Sequence, residues 1–366
     1  MAFELPPYPY DLLEPYRSIA SKHAGGVIDL SVGTPCDPPP SLVVKSLGES
    51  NSERGYPPSV GSQDFRESCQ DWVRRRFDVH LDIEKNIGAC IGTKEFVVST
   101  PNYLRLRSPN KDTVLYPEVS YPSYAMGAHL SGCRAVPVSI GDNGQLLLSE
   151  LDPRDVERAL MLWVNSPSNP TGVLCDLDSI ADWGRANEIP VFSDECYAEF
   201  TWAQSPQTIL SNDLSGVVAV HSLSKRSNLA GIRAGFFAGD EDLVHWLKEI
   251  RKHSGKMVPG PVQTAASLAY SDDQHVEDQR MRYRERLEFL QTCFDSLEID
   301  THFPDGAFYL WVESDSDEPW HLVERLASEV GVLVAPGTFF GSSGHVRVAA
   351  VQTLEKLGLI TDRISN

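Results

Sequence analysis

A chain of 366 residues can bury a large core and form about two domains, which sets aside a small binding module. Its 51 acidic against 32 basic residues give a formal charge of -19, which repels nucleic acid and anionic lipid; the densest basic cluster, Arg74-Arg75-Arg76, sits on a predicted helix as a solvated or salt-bridged face. Seven scattered cysteines include no C-x-x-C pair to suggest zinc or a redox dithiol. The opening residues carry no signal pattern and no stretch approaches the ~18 apolar residues of a spanning helix, so the expectation is a soluble, cytoplasmic, unprocessed protein without a metal.

The proline-rich head, through Pro38-Pro39-Pro40, reads as an extended arm interrupted by a short helix near 12–22 and followed by a strand at 27–30. From 41 to 270, short apolar strands at 113–116, 134–138, 160–164, 190–193, 217–220 and 234–238 alternate with amphipathic helices. That alternation predicts an α/β domain around a mostly parallel sheet. Beyond a long charged helix at 274–296, strands at 307–312, 332–334 and 345–349 with another helix predict a smaller α+β domain. The expected division is therefore 1–40 as an arm and part of the small domain, 41–270 as the large domain, and 271–366 as the C-terminal small domain. No internal repeat or low-complexity segment interrupts it.

Three polar runs each follow a predicted parallel strand: Asn165-Ser166-Pro167-Ser168-Asn169-Pro170-Thr171-Gly172, Asp194-Glu195-Cys196-Tyr197 and Ser222-Leu223-Ser224-Lys225. In an open α/β sheet those carboxyl ends share one crevice, so a lysine, an aspartate, a tyrosine and an asparagine far apart in sequence are expected to meet. A lysine in such a site suits Schiff-base chemistry with an aldehyde cofactor; in isolation it is equally a solvated loop residue. Asp194 can cap a helix or, opposite a pyridine nitrogen, keep that nitrogen protonated. Tyr197 can fill the core or bond a phenolic oxygen, and Asn169 can form a turn or donate to the same oxygen. For a phosphate, Arg233 and Ser222 offer a charged fork and a hydroxyl. Gly92-Thr93-Lys94-Glu95 offers amides at a helix start, although Pro101 makes that helix uncertain and plain capping is the alternative.

These runs, with Tyr56-Pro57-Pro58-Ser59-Val60-Gly61 and His345-Val346-Arg347-Val348, resemble the fold-type I, class I/II aminotransferases that use pyridoxal 5'-phosphate, over nearly the whole chain. The resemblance implies that Lys225 bonds the cofactor aldehyde and then moves the substrate proton. It implies Asp194 as partner of the ring nitrogen, Asn169 and Tyr197 as donors to the ring oxygen, and Tyr121 as the stacking aromatic, which can equally be a core tyrosine. Ser222, Arg233 and the amides near Thr93 and Lys94 resemble the phosphate cup. Tyr56 resembles the tyrosine that reaches the neighbouring subunit's phosphate, which implies a homodimer. Arg347 lies on an otherwise apolar strand, where an unpaired guanidinium is costly, and matches the clamp on the substrate α-carboxylate. Gly33, an ordinary turn glycine or a point of close backbone approach, stands near that carboxylate.

The runs Leu30-Ser31-Val32-Gly33-Thr34-Pro35, His221-Ser222-Leu223-Ser224-Lys225 and Val334-Ala335-Pro336-Gly337 look most like the actinobacterial succinyldiaminopimelate aminotransferases. This implies amino-group exchange between glutamate and 2-oxoglutarate on one side and an N-succinyl-LL-diaminopimelate skeleton on the other. Arg226 departs from the small hydroxyl residue expected beside the lysine. Arg226, Lys256 and Lys22 are candidate cations for a distal carboxylate, each read first as a solvated surface charge. The competing readings are an aminotransferase for aspartate, aromatic or other amino acids, a C-S lyase on the same cofactor, and a noncatalytic ligand-sensing module.

Overall fold

The computed structural model describes residues 8–314 and 318–365, so the first residues of the expected arm lie outside it. Its strands are β1 Ile28–Asp29, β2 Ile87–Cys90, β3 Thr113–Pro117, β4 Arg134–Val138, β5 Ala159–Asn165, β6 Val191–Asp194, β7 Val217–Ser222, β8 Gly235–Gly239, β9 Tyr309–Glu313, β10 Val332–Leu333, β11 Ala335–Pro336 and β12 His345–Ala349. Seven of them form one sheet in the order β2-β8-β7-β6-β5-β3-β4, in which only β8 runs against its neighbours.

Continuous apolar strands need cover on both faces, and the alternation of side chains sorts them. Val217 and Ala219 of β7 join Val191 of β6 in a core with Phe65, Trp72, Ala266 and Tyr270, from the helices Gln63–Phe77 and Gly260–Ser271. Val218 and Val220 join Phe192 and Trp163 in a second core with Phe96, Val97, Tyr124 and Leu247. The helix Thr93–Arg107 runs through Pro101 rather than stopping there. Proline leaves the Val97 carbonyl without its helical donor, and the helix Ser123–Leu130 packs against that turn at Gly127, where even a Cβ would come within 3.1 Å of the Val97 oxygen.

A third core gathers the C-terminal half around Tyr283, Leu287, Leu290 and Phe294 of the helix Gln274–Ser296. There β11, β12 and β9 form an antiparallel sheet, while β1 pairs in parallel with β10, joining Ile28 to Val332 and Asp29 to Leu333. The strand expected at 332–334 divides into β10 and β11, each two residues long. Pairing continues past the strand ends, with Leu30 N donating to the Leu333 oxygen at 2.8 Å and Ala349 N to the Leu30 oxygen at 2.9 Å. The segment carrying Gly33 is thereby tied to the strand carrying Arg347.

Candidate active site

Register brings the first residues together. Asn165 is paired with Asp194 across β5 and β6, and Asp194 with Val220 across β6 and β7, so Asp194 and Ser222 end up together at the carboxyl ends of adjacent strands. Asp194 is buried, and its carboxylate accepts from Tyr124 Oη at 3.1 Å, Cys196 N at 3.3 Å and Cys196 Sγ at 2.7 Å. All three donors are neutral, and burial pushes this carboxyl above its ordinary range, against the pull of those hydrogen bonds. Such a group has an unmet demand for a cationic or protonated partner.

Ser222 caps the single turn Leu223–Arg226, its Oγ accepting from Ser224 N at 3.1 Å. Lys225 on that turn donates to the Gly33 carbonyl and lies 5.9 Å from the Phe308 ring centre. Burial, opposed by Cys196 and aided by Arg347 and Arg233, lowers its pKa to about 8. A lysine in this state supplies free amine near neutral pH, the requirement for a nucleophile or base.

An anion cradle lies opposite. Gly92, at φ 71, precedes the helix Thr93–Arg107, whose N-terminus has no side-chain cap, leaving the Thr93 and Lys94 amides at its positive end. The Arg233 guanidinium sits directly on Gly92, where a Cβ would collide with Nη2. Arg233 itself occupies the left-handed region at φ 56 and donates to the Ala230 carbonyl at 2.8 Å. Thr93 Oγ1 lies 4.0 Å from Cys196 Sγ, linking the cradle to the aspartate strand. The Lys94 side chain points away, exposed, with its ammonium 5.8 Å from the Tyr8 ring centre.

On the third side, Arg347 is buried between Tyr309 and Phe340, 4.5 and 4.4 Å from their ring centres. It donates to Asn169 Oδ1 at 2.7 Å, to the Ser31 carbonyl at 2.6 Å and to Tyr10 Oη at 3.2 Å, while its Nε has no partner. The expected lone guanidinium is therefore already solvated by the protein. Asn169 N donates to Asn165 Oδ1 at 2.7 Å, holding the asparagine loop to β5. Tyr197 shares a 2.8 Å hydrogen bond with Tyr309 Oη, whose hydroxyl lies where any Cβ on Gly33 would be. Tyr121 stands edge-on to Tyr124 at 6.1 Å, and burial raises its hydroxyl above the usual tyrosine range.

Tyr56 stands apart, 96% exposed on a loop beyond the helix Ser41–Glu49. The reading of Arg226 as a surface charge is corrected: it is buried against Glu199, because the turn that points Lys225 at the pocket points its neighbour into the core. Lys256 lies 3.6 Å from Glu95, which Arg251 also holds at 2.6 Å, and Lys22 is exposed. Arg74, Arg75 and Arg76 pair with Asp71, Asp273 and Glu199. Sequence reasoning missed Tyr10, Tyr124, Cys196 and Tyr309. Cys196 lay inside a run already singled out and Tyr124 three residues beyond Tyr121, but Tyr309 carried no signal beyond an apolar strand.

A lone amine, a buried carboxylate, an anion cradle and a separate guanidinium form one donor set. The sequence model of the family described as Aminotransferase class I and II matches residues 25–364. The chain belongs to the class I and II aminotransferases. It is 37% identical, over 99% of both chains, to the 4-dedimethylamino-4-oxo-anhydrotetracycline transaminase OxyQ of Streptomyces rimosus. With the LL-diaminopimelate aminotransferase of Aquifex aeolicus the identity is 32%, covering 99% of this chain and 97% of that one. A solved structure of the probable N-succinyldiaminopimelate aminotransferase from Thermus thermophilus superposes with a TM-score of 0.87 at 27% identity, covering 98% of this chain and 99% of that one. Class I and II aminotransferases are transaminases that use pyridoxal 5'-phosphate and act on amino acid and 2-oxo acid substrates. The residues here fit that cofactor: the Gly92 cradle under Arg233 suits its phosphate, the neutral-donor-bound Asp194 its ring nitrogen, and the half-buried Lys225 its aldehyde.

Proposed function

We propose that this aminotransferase exchanges the amino group between glutamate and N-succinyl-LL-diaminopimelate, with 2-oxoglutarate as the oxo partner, in lysine and diaminopimelate biosynthesis. The observation that carries an α-amino acid substrate is the convergence of the Lys225 amine, which donates to the Gly33 carbonyl, and the buried Arg347 guanidinium, which donates to the Ser31 carbonyl two residues earlier at 2.6 Å. The diaminopimelate skeleton is supported by the names of the Aquifex and Thermus relatives and by the sequence runs around Gly33, Lys225 and Pro336.

When bound, pyridoxal phosphate supplies an aldehyde for amine exchange and a ring that accepts electrons. Ser222, Arg233 and the Thr93 and Lys94 amides would hold its phosphate, Asp194 would keep a proton on its ring nitrogen, Asn169 and Tyr197 would donate to its ring oxygen, and Tyr121 would be its stacking aromatic. Arg347 takes the substrate α-carboxylate, its Asn169, Ser31 and Tyr10 contacts yielding in part to that anion. Gly33 lets the backbone approach the same carboxylate. Lys225 Nζ would take the proton from the substrate Cα and deliver it to the carbon of the cofactor's aldehyde group. In a homodimer, the exposed Tyr56 reaches the partner subunit's phosphate. Residues 41–270 act as the cofactor-binding domain, and residues 1–40 with 271–366 as the part that brings Arg347 onto the substrate.

The test is a half reaction of cofactor-loaded protein with L-glutamate and, separately, N-succinyl-LL-diaminopimelate, following the absorbance change and the oxo-acid product. Conversion by both supports the reading. Conversion by glutamate alone discards the succinylated substrate and favours a second reading, a transaminase for another oxo acceptor, for which the 37% identity to OxyQ speaks.

A further inference from the structure

Behind Lys225, on the side away from the pocket, lies a dense cluster of buried polar groups. Arg226 is 2% exposed; its Nε pairs with Glu199 at 3.2 Å and its Nη1 donates to the Ala269 carbonyl at 2.7 Å. The guanidinium plane lies 5.1 Å from the Tyr270 ring centre and 5.5 Å from that of Trp72. Glu199 is also held by Trp72 Nε1 and by Arg76, each at 2.7 Å.

The next two residues extend the grip. Ser227 Oγ lies 2.9 Å from His275 Nε2, whose Nδ1 lies 2.9 Å from Asp272. That connectivity is the one a hydrolase uses, but Ser227 is 1% exposed and its oxygen also receives Arg226 Nη1 at 3.4 Å, so it anchors the loop to the head of the helix Gln274–Ser296. Asn228, at φ 54, donates to Gln279 at 2.9 Å. Gln279 in turn donates to Asp37 at 2.8 Å, which Arg286 grips with two bonds of 2.6 and 2.7 Å.

The turn Leu223–Arg226 is too short to be stable alone, so the direction of Lys225 is set by whatever holds its two ends. Successive helical residues point about 100° apart, which sends Lys225 to the pocket and Arg226 to the core. We propose that Arg226 is a positioning residue: held by Glu199 and the Ala269 carbonyl between Trp72 and Tyr270, it fixes the turn that aims Lys225. This inference rests on the reading of Lys225 as the reactive amine. A lysine at 226 could not make both bonds and stack, because only the planar fork does so.

The variant Arg226→Gln leaves Glu199 with Arg76 and Trp72, so no buried charge is stripped of all partners. Competitive acetylation of the cofactor-free protein across pH, read by mass at Lys225, measures that amine directly. The charged and titratable groups that face Lys225 are Cys196, Arg347 and Arg233; Arg226 is not among them, so a shift in the variant reports geometry and solvation. The expected result is a rise of about half a unit or more in the Lys225 midpoint, with a fall in kcat of about tenfold and a change in KM under about threefold. A lower melting temperature with an unchanged Lys225 midpoint and kcat would overturn the proposal. Should Arg226→Gln not fold, His275→Ala, which removes the half-buried partner of the buried Ser227, gives smaller shifts of the same sign or overturns the proposal by giving none. Borohydride reduction and peptide mapping separate the two readings: cofactor found on Lys225 in wild type and variant leaves the role of Lys225 standing, whereas cofactor attached elsewhere removes it whatever Arg226 does.

Discussion

Asp194, Ser222 and Lys225 stand at or just beyond the ends of adjacent strands in one seven-stranded sheet, whereas Gly33, Tyr309 and Arg347 reach the same space from opposite ends of the chain. The first wall is rigid because both faces of its strands are covered by apolar cores. The second depends on the two-residue β1–β10 pair, the Arg347 bonds to Ser31 and Asn169, and the packing of Tyr309 over Gly33. On the proposed function, chemistry that needs a fixed cofactor would fall on the first wall, and contacts that form only with substrate on the second, which can adjust at lower cost.

That division can be broken most directly at Lys225. Lys225→Ala is expected to lower the half-reaction rate by about 10³-fold or more while the substrate-side wall keeps its form, measured by single-turnover absorbance. Arg347→Lys loses the fork and is expected to raise KM for both amino acids by about 10- to 100-fold with little change in cofactor affinity, read by fluorescence titration. A matching loss of cofactor affinity would dissolve the distinction between the walls.

Smaller changes sharpen it. Gly33→Ala drives a methyl group into the Tyr309 hydroxyl and is expected to raise KM about tenfold, and adding Tyr309→Phe should restore part of the loss. No recovery in the double variant would remove the collision as the cause. The smallest effect lies behind the sheet, where Glu195 Oε2 faces His221 Nε2 at 3.4 Å. Burial raises the Glu195 carboxyl to about 7 and lowers His221 to about 3, each favouring its neutral form. Because the folded chain holds the Glu195 proton to higher pH than the unfolded one, stability from this group is full below about 4.5 and is lost as pH rises through about 7. Glu195→Gln lacks that titration, so its melting temperature should gain on wild type by a few degrees between pH 5 and 8, read by differential scanning fluorimetry.

Most strands and the long helix were legible because burial on two faces leaves continuous apolar runs, as in Val217-Val218-Ala219-Val220, and because Gln274–Ser296 carries a long charged face, whereas β2, Ile87-Gly88-Ala89-Cys90, has small residues in place of such a run and was not expected. The mostly parallel sheet and its strand-end crevice followed from the same runs. Arg226 was misjudged because a charge beside a loop lysine reads as solvated until the aromatic rings that cover it are brought from other helices. Tyr309 was overlooked because a continuous apolar strand gives no sign of which tertiary partner its tyrosine hydroxyl will meet, here Tyr197.

Neighbouring residues were enough to specify most of the elements, the polar runs at the strand ends and the family to which the chain belongs, since periodicity and turn signals are local. Which face each residue took, and which partner it met, waited on the packed fold: Arg347 with Asn169 and Ser31, Asp194 with Tyr124 and Cys196, Arg226 with Glu199. Most of those pairings join residues far apart along the chain, and their geometry exists only after the sheet, its helices and the terminal segments have come together.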